Sequence, residues 1–214
     1  MRIYIVRHGE TEANIKGVLQ GWNDTKLSPL GIDLAEKTGE GLKDIKFDAV
    51  FSSPLDRAFN TAKIILNKNN NETPEIKIDD RIKEVNMGTW EGQCFKGPES
   101  TIPSDQMELF FSNPFKLGNF PHGENTEEVC KRTQDFLFDI AKNHNYKNVL
   151  ITTHGFATRA ILNFLYDNKE DFWQGRVPYN CAVNILDYKD GKFTFVAKDK
   201  VFYDKDQCIN RYKM

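Results

Sequence analysis

Four short apolar runs, at residues 3–6, 49–51, 76–78 and 149–151, alternate along this chain with segments of helical periodicity. A strand that is apolar on consecutive residues must be covered on both faces, and the intervening helices supply that cover. The pattern therefore predicts a mainly parallel sheet between two helical layers. Ser28-Pro29 is an N-cap followed by proline at the first helical position, and this helix is expected to run to about Lys43. Pro54 is expected to open a second helix with Ala58, Ala62, Ile65 and Leu66 on one face. A third starts near Asn125, with Glu128 as its reciprocal capping partner and Val129, Phe136, Leu137 and Ile140 in its apolar stripe. Towards the end, alternating strands near 182–186 and 192–198 flank a turn at Asp190-Gly191 and predict an antiparallel edge. The fold class is read as a three-layer α/β/α sandwich with a mainly parallel sheet, an antiparallel edge and an inserted lid segment.

With 214 residues, 39% of them hydrophobic, the chain is expected to form one domain over 1–214. The insertion is placed at about 93–123, where Pro98, Pro103, Pro114 and Pro121 mix with Phe110, Phe111, Phe115 and Phe120. It is read as a lid or rim with one short helix near 104–112, its phenylalanines divided between core and pocket rim. A net charge of -2 gives no electrostatic footprint for nucleic acid or an anionic membrane, so any anion must be met by locally placed arginines. A small phosphorylated substrate fits that better than a polymer, and the assembly is expected to be a monomer or homodimer. No apolar run approaches the roughly 18 residues of a membrane span, and residues 1–8 lack a signal-peptide core, so a cytoplasmic location is expected. Cys94, Cys130, Cys181 and Cys208 are scattered without a Cys-x-x-Cys pair and are read as reduced packing thiols rather than a zinc site or disulfide framework.

The first apolar run leads directly into Arg7-His8-Gly9-Glu10-Thr11, which sets an imidazole beside a guanidinium where a buried strand ends. Open α/β sheets keep their ligand sites at such strand ends. A neutral imidazole attacks phosphorus, and Arg7 offers a permanently charged fork of donors matched to phosphoryl oxygens. The same fixed charge opposes a metal ion, so neither metal nor cofactor is expected. A second strand end carries Thr152-Thr153-His154-Gly155, with a helix expected over 156–165 whose N-terminal amides face an anion and whose Gly155 permits close approach. A third, Ser52-Ser53-Pro54-Leu55-Asp56-Arg57, puts Arg57 on the first turn of the following helix. Together these residues point to phosphoryl transfer through a phosphohistidine.

The segments Arg7-His8-Gly9-Glu10-Thr11, Leu27-Ser28-Pro29-Leu30-Gly31, Ser52-Ser53-Pro54-Leu55-Asp56-Arg57-Ala58, Glu84-Val85-Asn86-Met87-Gly88-Thr89-Trp90-Glu91-Gly92 and His154-Gly155 follow one another over most of the chain. In this order they resemble the histidine phosphatase superfamily, also called the phosphoglycerate mutase-like family. The resemblance implies that His8 accepts the phosphoryl group while Glu84 protonates the departing oxygen and later activates the incoming water or alcohol. It implies that Arg7, Arg57 and His154 hold the nonbridging oxygens, with Asn14 a further phosphate ligand and Gln20 and Gly21 bordering substrate.

The function expected is a metal-independent phosphomonoesterase acting on a small phosphorylated metabolite. The alternative is a 2,3-bisphosphoglycerate-dependent phosphoglycerate mutase using the same residues. The stretch from Gly92 to His122, about 30 residues, is shorter than the insertion the resemblance implies for a dedicated mutase, and it lacks a run of basic residues. Competing classes are a non-catalytic phospholigand-binding domain and a hydrolase with His8, His154 and Glu84 as metal ligands. His122 stands either against substrate or in solvent, and Asn180 and Cys181 either line the pocket or pack.

Overall fold

The computed structural model describes residues 1–95, 97–143 and 146–207. Strands β1 (Arg2–Arg7), β2 (Ala49–Ser52), β3 (Ile76–Ile78), β4 (Asn148–Thr153), β5 (Val183–Lys189) and β6 (Lys192–Lys200) form one sheet in the order β3-β2-β4-β1-β5-β6. The first four run parallel, whereas β5 is antiparallel to β1 and β6 to β5. The helices are α1 (Glu12–Lys16), α2 (Pro29–Leu42), α3 (Asp56–Asn67), α4 (Ser104–Ser112), α5 (Thr126–Asn143) and α6 (Gly155–Leu162).

The unbroken apolar run of β1 is explained by its two neighbours. Ile3 and Ile5 join Phe136, Leu137, Ile140 and Ile161 from α5 and α6 on one face. Tyr4 and Val6 join Leu42, Ala62 and Ile65 from α2 and α3 on the other. This is the expected three-layer arrangement. Each fully buried aliphatic side chain contributes about 1.5–3 kcal/mol, more than the roughly 1 kcal/mol of a helix cap, so packing on the sheet fixes where the helices lie. A third cluster, with Phe110, Phe120, Phe156, Phe172 and Trp173, joins the 93–123 segment to α6.

The reciprocal cap at the start of α5 forms as read: Asn125 N donates to Glu128 Oε2 and Glu128 N to Asn125 Oδ1, each at 2.9 Å. Three local readings are corrected. Helix α3 begins at Asp56 rather than Pro54, because the Asp24 carboxylate caps it from a distant loop by accepting from the amides of Asp56 and Arg57. The polar stretch after His8 contains α1, closed by a capping box in which Thr11 and Asn14 satisfy each other's backbone amides. Helix α6 stops at Leu162 and tightens into a 3-10 turn over Asn163–Leu165.

Cys94, Cys130 and Cys181 are free thiols, and burial with the Glu127 charge pushes Cys130 up to about 12. Cys208 lies outside the described residues. Among the described residues no helix is long and apolar enough to cross a membrane.

The start of α2 locks onto the loop that follows β1. Ser28 Oγ donates to Glu10 Oε1 at 2.8 Å and accepts from Gly31 N at 3.0 Å. A Cβ on Gly31 would stand 2.0 Å from the backbone oxygen of Glu10, and one on Gly9 would stand 2.6 Å from the Gly31 oxygen. Backbone atoms cannot swing aside as a side-chain tip does. Gly31→Ala is therefore expected to cost about 1–3 kcal/mol and to lower Tm by about 2–4 °C per kcal/mol; an unchanged Tm in a thermal melt would contradict this packing.

Candidate active site

β1 and β4 are adjacent and in register, Arg7 opposite Thr153. One residue further on, His8 N donates to Thr153 O at 2.8 Å, and the rings of His8 and His154 lie with centroids 5.2 Å apart. Two histidines 146 positions apart in sequence thus meet because their strands pair.

His8 is buried, and its Nδ1 lies 2.7 Å from the Gly9 carbonyl oxygen. A carbonyl only accepts, so Nδ1 carries the proton and, in the neutral ring, Nε2 keeps its lone pair. Burial first, then the charges of Arg57 and Arg7, hold the His8 imidazole well below its usual 6.5. His154 is lowered for the same leading reason, with Arg57 and His8 next. Ser53 Oγ accepts from Leu55 N and stands 2.8 Å from His154 Nε2. The other ring nitrogen, Nδ1, is buried and has no protein partner among the described residues.

Arg57 is almost fully buried. Its Nη1 donates to Asn23 O at 2.9 Å and to Asp24 Oδ1 at 3.1 Å, and its Nη2 donates to Gly21 O at 2.7 Å. Nε remains buried with no protein partner among the described residues. Burial pulls this guanidinium below its ordinary value while Asp24 and Glu84 pull it back. It stays a cation at any working pH. Arg7 donates through Nη1 to Pro178 O, and a Cβ on Gly155 would approach Arg7 Nε to 3.3 Å, so the glycine lets α6 close over that guanidinium.

Glu84 reaches the site from the segment after β3. Its Oε1 accepts from Val85 N and Ala157 N, both at 3.0 Å, and its Oε2 accepts from Phe156 N at 3.2 Å. The α6 amides expected to face a bound anion are thus given to the protein's own carboxyl, which changes that expectation. A carboxyl at a helix N-terminus satisfies the same unpaired donors and dipole.

Arg7, His8, Asn14, Gln20, Arg57, Glu84 and Gly155 all line one cleft. Gly21 and His154 do not line it: Gly21 lies behind Arg57 as its carbonyl anchor, and His154 lies against His8. His122 is exposed, in the left-handed region at φ 61°, and is also outside the cleft wall. Among the described residues no three His, Cys, Asp or Glu side chains group as a metal site.

Asp24, Ser53 and Arg132 were not singled out from the sequence as partners, and Asn180 was named there only as lining the pocket or packing. Asp24 holds Arg57, Ser53 holds His154, and Asn180 Nδ2 bridges His8 O at 3.1 Å and Asn14 Oδ1 at 3.2 Å. Arg132 pins the Glu84 segment by donating to the carbonyls of Arg81, Lys83 and Glu84. Only Ser53, directly before Pro54 at a strand end, and Asn180, just before a strand, carried a local signal.

A family model described as the histidine phosphatase superfamily (branch 1) matches residues 3–200. The chain belongs to this superfamily. Among histidine phosphatase relatives, it is 32% identical over 206 residues to the broad-specificity phosphatase YOR283W of Saccharomyces cerevisiae, covering 92% of this chain and 84% of that protein. It is also 32% identical over 165 residues to a 2,3-bisphosphoglycerate-dependent phosphoglycerate mutase of Cytophaga hutchinsonii, covering 76% of each. The solved structure of Bacillus stearothermophilus YhfR superposes with a TM-score of 0.85 at 28% identity, covering 94% of this chain and 97% of that one.

The lowered imidazoles link the site to stability. Unfolded, both histidines take up a proton near 6.5; folded, they resist it to much lower pH. Below 6.5 the unfolded chain binds more protons, so stability falls as pH drops and is flat above. Wild-type Tm is expected to decline between about pH 6.5 and about pH 5 more steeply than that of His8→Gln/His154→Gln. Parallel curves for the two proteins would contradict buried neutral imidazoles.

Proposed function

We propose that this histidine phosphatase is a metal-independent phosphomonoesterase that hydrolyses a small phosphate ester through a phosphohistidine on His8. The observation that carries this is the state of His8: its Nδ1 proton is spent on Gly9 O, and its other nitrogen belongs to a ring lining a cleft beside two guanidiniums. In the first half-reaction the Nε2 lone pair forms the N–P bond as the ester P–O bond breaks, and a proton from Glu84 goes to the departing alkoxide. In the second, water attacks phosphorus, the N–P bond breaks back to the imidazole, and Glu84 takes the water's proton. Arg7 and Arg57 stabilise the equatorial oxygens throughout, and Arg57 Nε–H and His154 Nδ1, both buried and without a protein partner among the described residues, suit further phosphoryl oxygens.

The same residues serve a mutase, and one relative carries that name. A mutase must also hold a second anionic group while the phosphoryl moves. Among the described residues the only cationic side chains lining the cleft are Arg7 and Arg57, both used at the transferred group. This favours water as the acceptor.

His8→Ala is expected to abolish metal-free phosphate release and the alkali-stable, acid-labile label left on the protein by a ³²P-ester. Arg57→Ala is expected to lower kcat by about 10²–10³-fold. Release that survives His8→Ala would remove the nucleophile. Glu84→Gln is expected to slow alkyl esters far more than nitrophenyl esters, whose departing group needs little proton help. Equal slowing would take Glu84 out of the acid role.

A further inference from the structure

The backbone carbonyls that fix Arg57 belong to residues 21–23, and amides of the same loop run to one carboxylate. Glu91 Oε1 accepts from Trp22 N at 2.9 Å, and its Oε2 accepts from Asn23 N at 3.1 Å. The Gly21 carbonyl and the Trp22 amide are two ends of a single peptide unit. That unit therefore lies directly between opposite charges: its N–H faces Glu91, and its C=O accepts from Arg57 Nη2 at 2.7 Å. A carboxylate at the N–H and a guanidinium at the C=O polarise the peptide in the same sense, so each hydrogen bond strengthens the other. Asn23 is held in a similar way. Its N–H is shared between Glu91 Oε2 and Gln20 O, the latter at 2.9 Å, and its C=O accepts from Arg57 Nη1 at 2.9 Å.

Glu91 is itself fixed. It closes the 3-10 turn Gly88–Trp90 by donating its N–H to Gly88 O at 3.2 Å, and its Oε1 also accepts from Met87 N at 3.0 Å. Three amides thus converge on two oxygens, and the described partners of this carboxylate are backbone donors rather than a cationic side chain. The loop approaches it closely: a Cβ on Gly21 would stand 2.2 Å from Oε1. A further bond, from Trp22 Nε1 to Glu84 O at 2.8 Å, joins the same loop to the start of the 84–91 segment.

We propose that Glu91 is a positioning residue for phosphoryl transfer, which fixes the carbonyls of loop 21–23 and through them sets Arg57 against the transferred group. The proposal rests on the phosphatase reading above and adds a residue to its machinery. With Nη1 and Nη2 spent on the loop and Asp24, the place of the remaining Nε–H is decided by where those carbonyls stand. Gln at position 91 would turn one of the two acceptors into an NH2 donor, which must then face either Asn23 N–H or the amides of Trp22 and Met87. The loop must shift to relieve that, and Arg57 shifts with it.

The test is a double-mutant cycle on the full chain with nitrophenyl phosphate, whose departing group needs little proton help, so that Arg57 rather than Glu84 is read. Glu91→Gln is expected to lower kcat/KM by about 10- to 100-fold in the wild-type background and by less than about twofold in the Arg57→Ala background. A residue that merely supports the fold would lower both by the same factor. Where Glu91→Gln shows no cooperative thermal transition, Glu91→Asp, which retracts the same carboxylate by one methylene, carries the same cycle. Equal losses in the two backgrounds, no loss in the wild type, or a loss cancelled by Glu84→Gln but not by Arg57→Ala overturns the proposal and leaves the phosphatase intact. If the wild type releases no phosphate, the phosphatase reading falls, and the same cycle read on the Kd for inorganic phosphate by ³¹P NMR decides the role of Glu91.

Discussion

Two guanidiniums are buried at the end of a parallel sheet, and the imidazoles beside them stay neutral because a further positive charge there would lack both water and a counter-ion. Asp24 and Glu84 offset part of the arginine charge, and Asp24 is itself partly solvated. The remaining positive field suits an incoming oxyanion. His8 is kept neutral first by its own burial and next by the charges of Arg57 and Arg7, and those same charges create the need for an anion.

Much of the surrounding structure serves to hold those arginines and to complete that arrangement. Loop 21–24 folds back so that its carbonyls and Asp24 grip Arg57, and the same Asp24 caps α3, coupling the position of the helix to the position of its second residue. Segment 178–181 does the same for Arg7 and His8: Pro178 O accepts from the guanidinium, Cys181 N donates to the carbonyl of Arg7, and Asn180 donates to that of His8. Glu84, fixed by three backbone amides, ties the β3 side of the site to α6.

What the sequence made legible were features local to a strand end. Apolar runs gave the sheet, and each run that ends in Arg7-His8, Ser52-Ser53 or Thr153-His154 delivered its polar residue to the same edge. The capping box at Asn125 and the helix at 104–112 were equally local. Partners brought by loops from elsewhere were not legible. Asp24 lies in the polar stretch after His8, and its capping of Asp56 is why Pro54 misplaced the start of α3. Arg132 acts through backbone carbonyls, which leave no trace in side-chain pattern, and Asn180 was named only as lining the pocket or packing, not as the bridge between His8 and Asn14. The α6 amides were read as open to a bound anion, but periodicity could not show that the Glu84 carboxyl occupies two of them.

Ring-nitrogen ¹⁵N NMR of His8 tests the central claim most directly, because charge and tautomer are what the buried arginines and Gly9 O impose. At about pH 6, where a free histidine is largely protonated, His8 is expected to be neutral, with a protonated Nδ1 and a bare Nε2. An imidazolium at that pH, or a neutral ring with its proton on Nε2, would contradict the nucleophile described here.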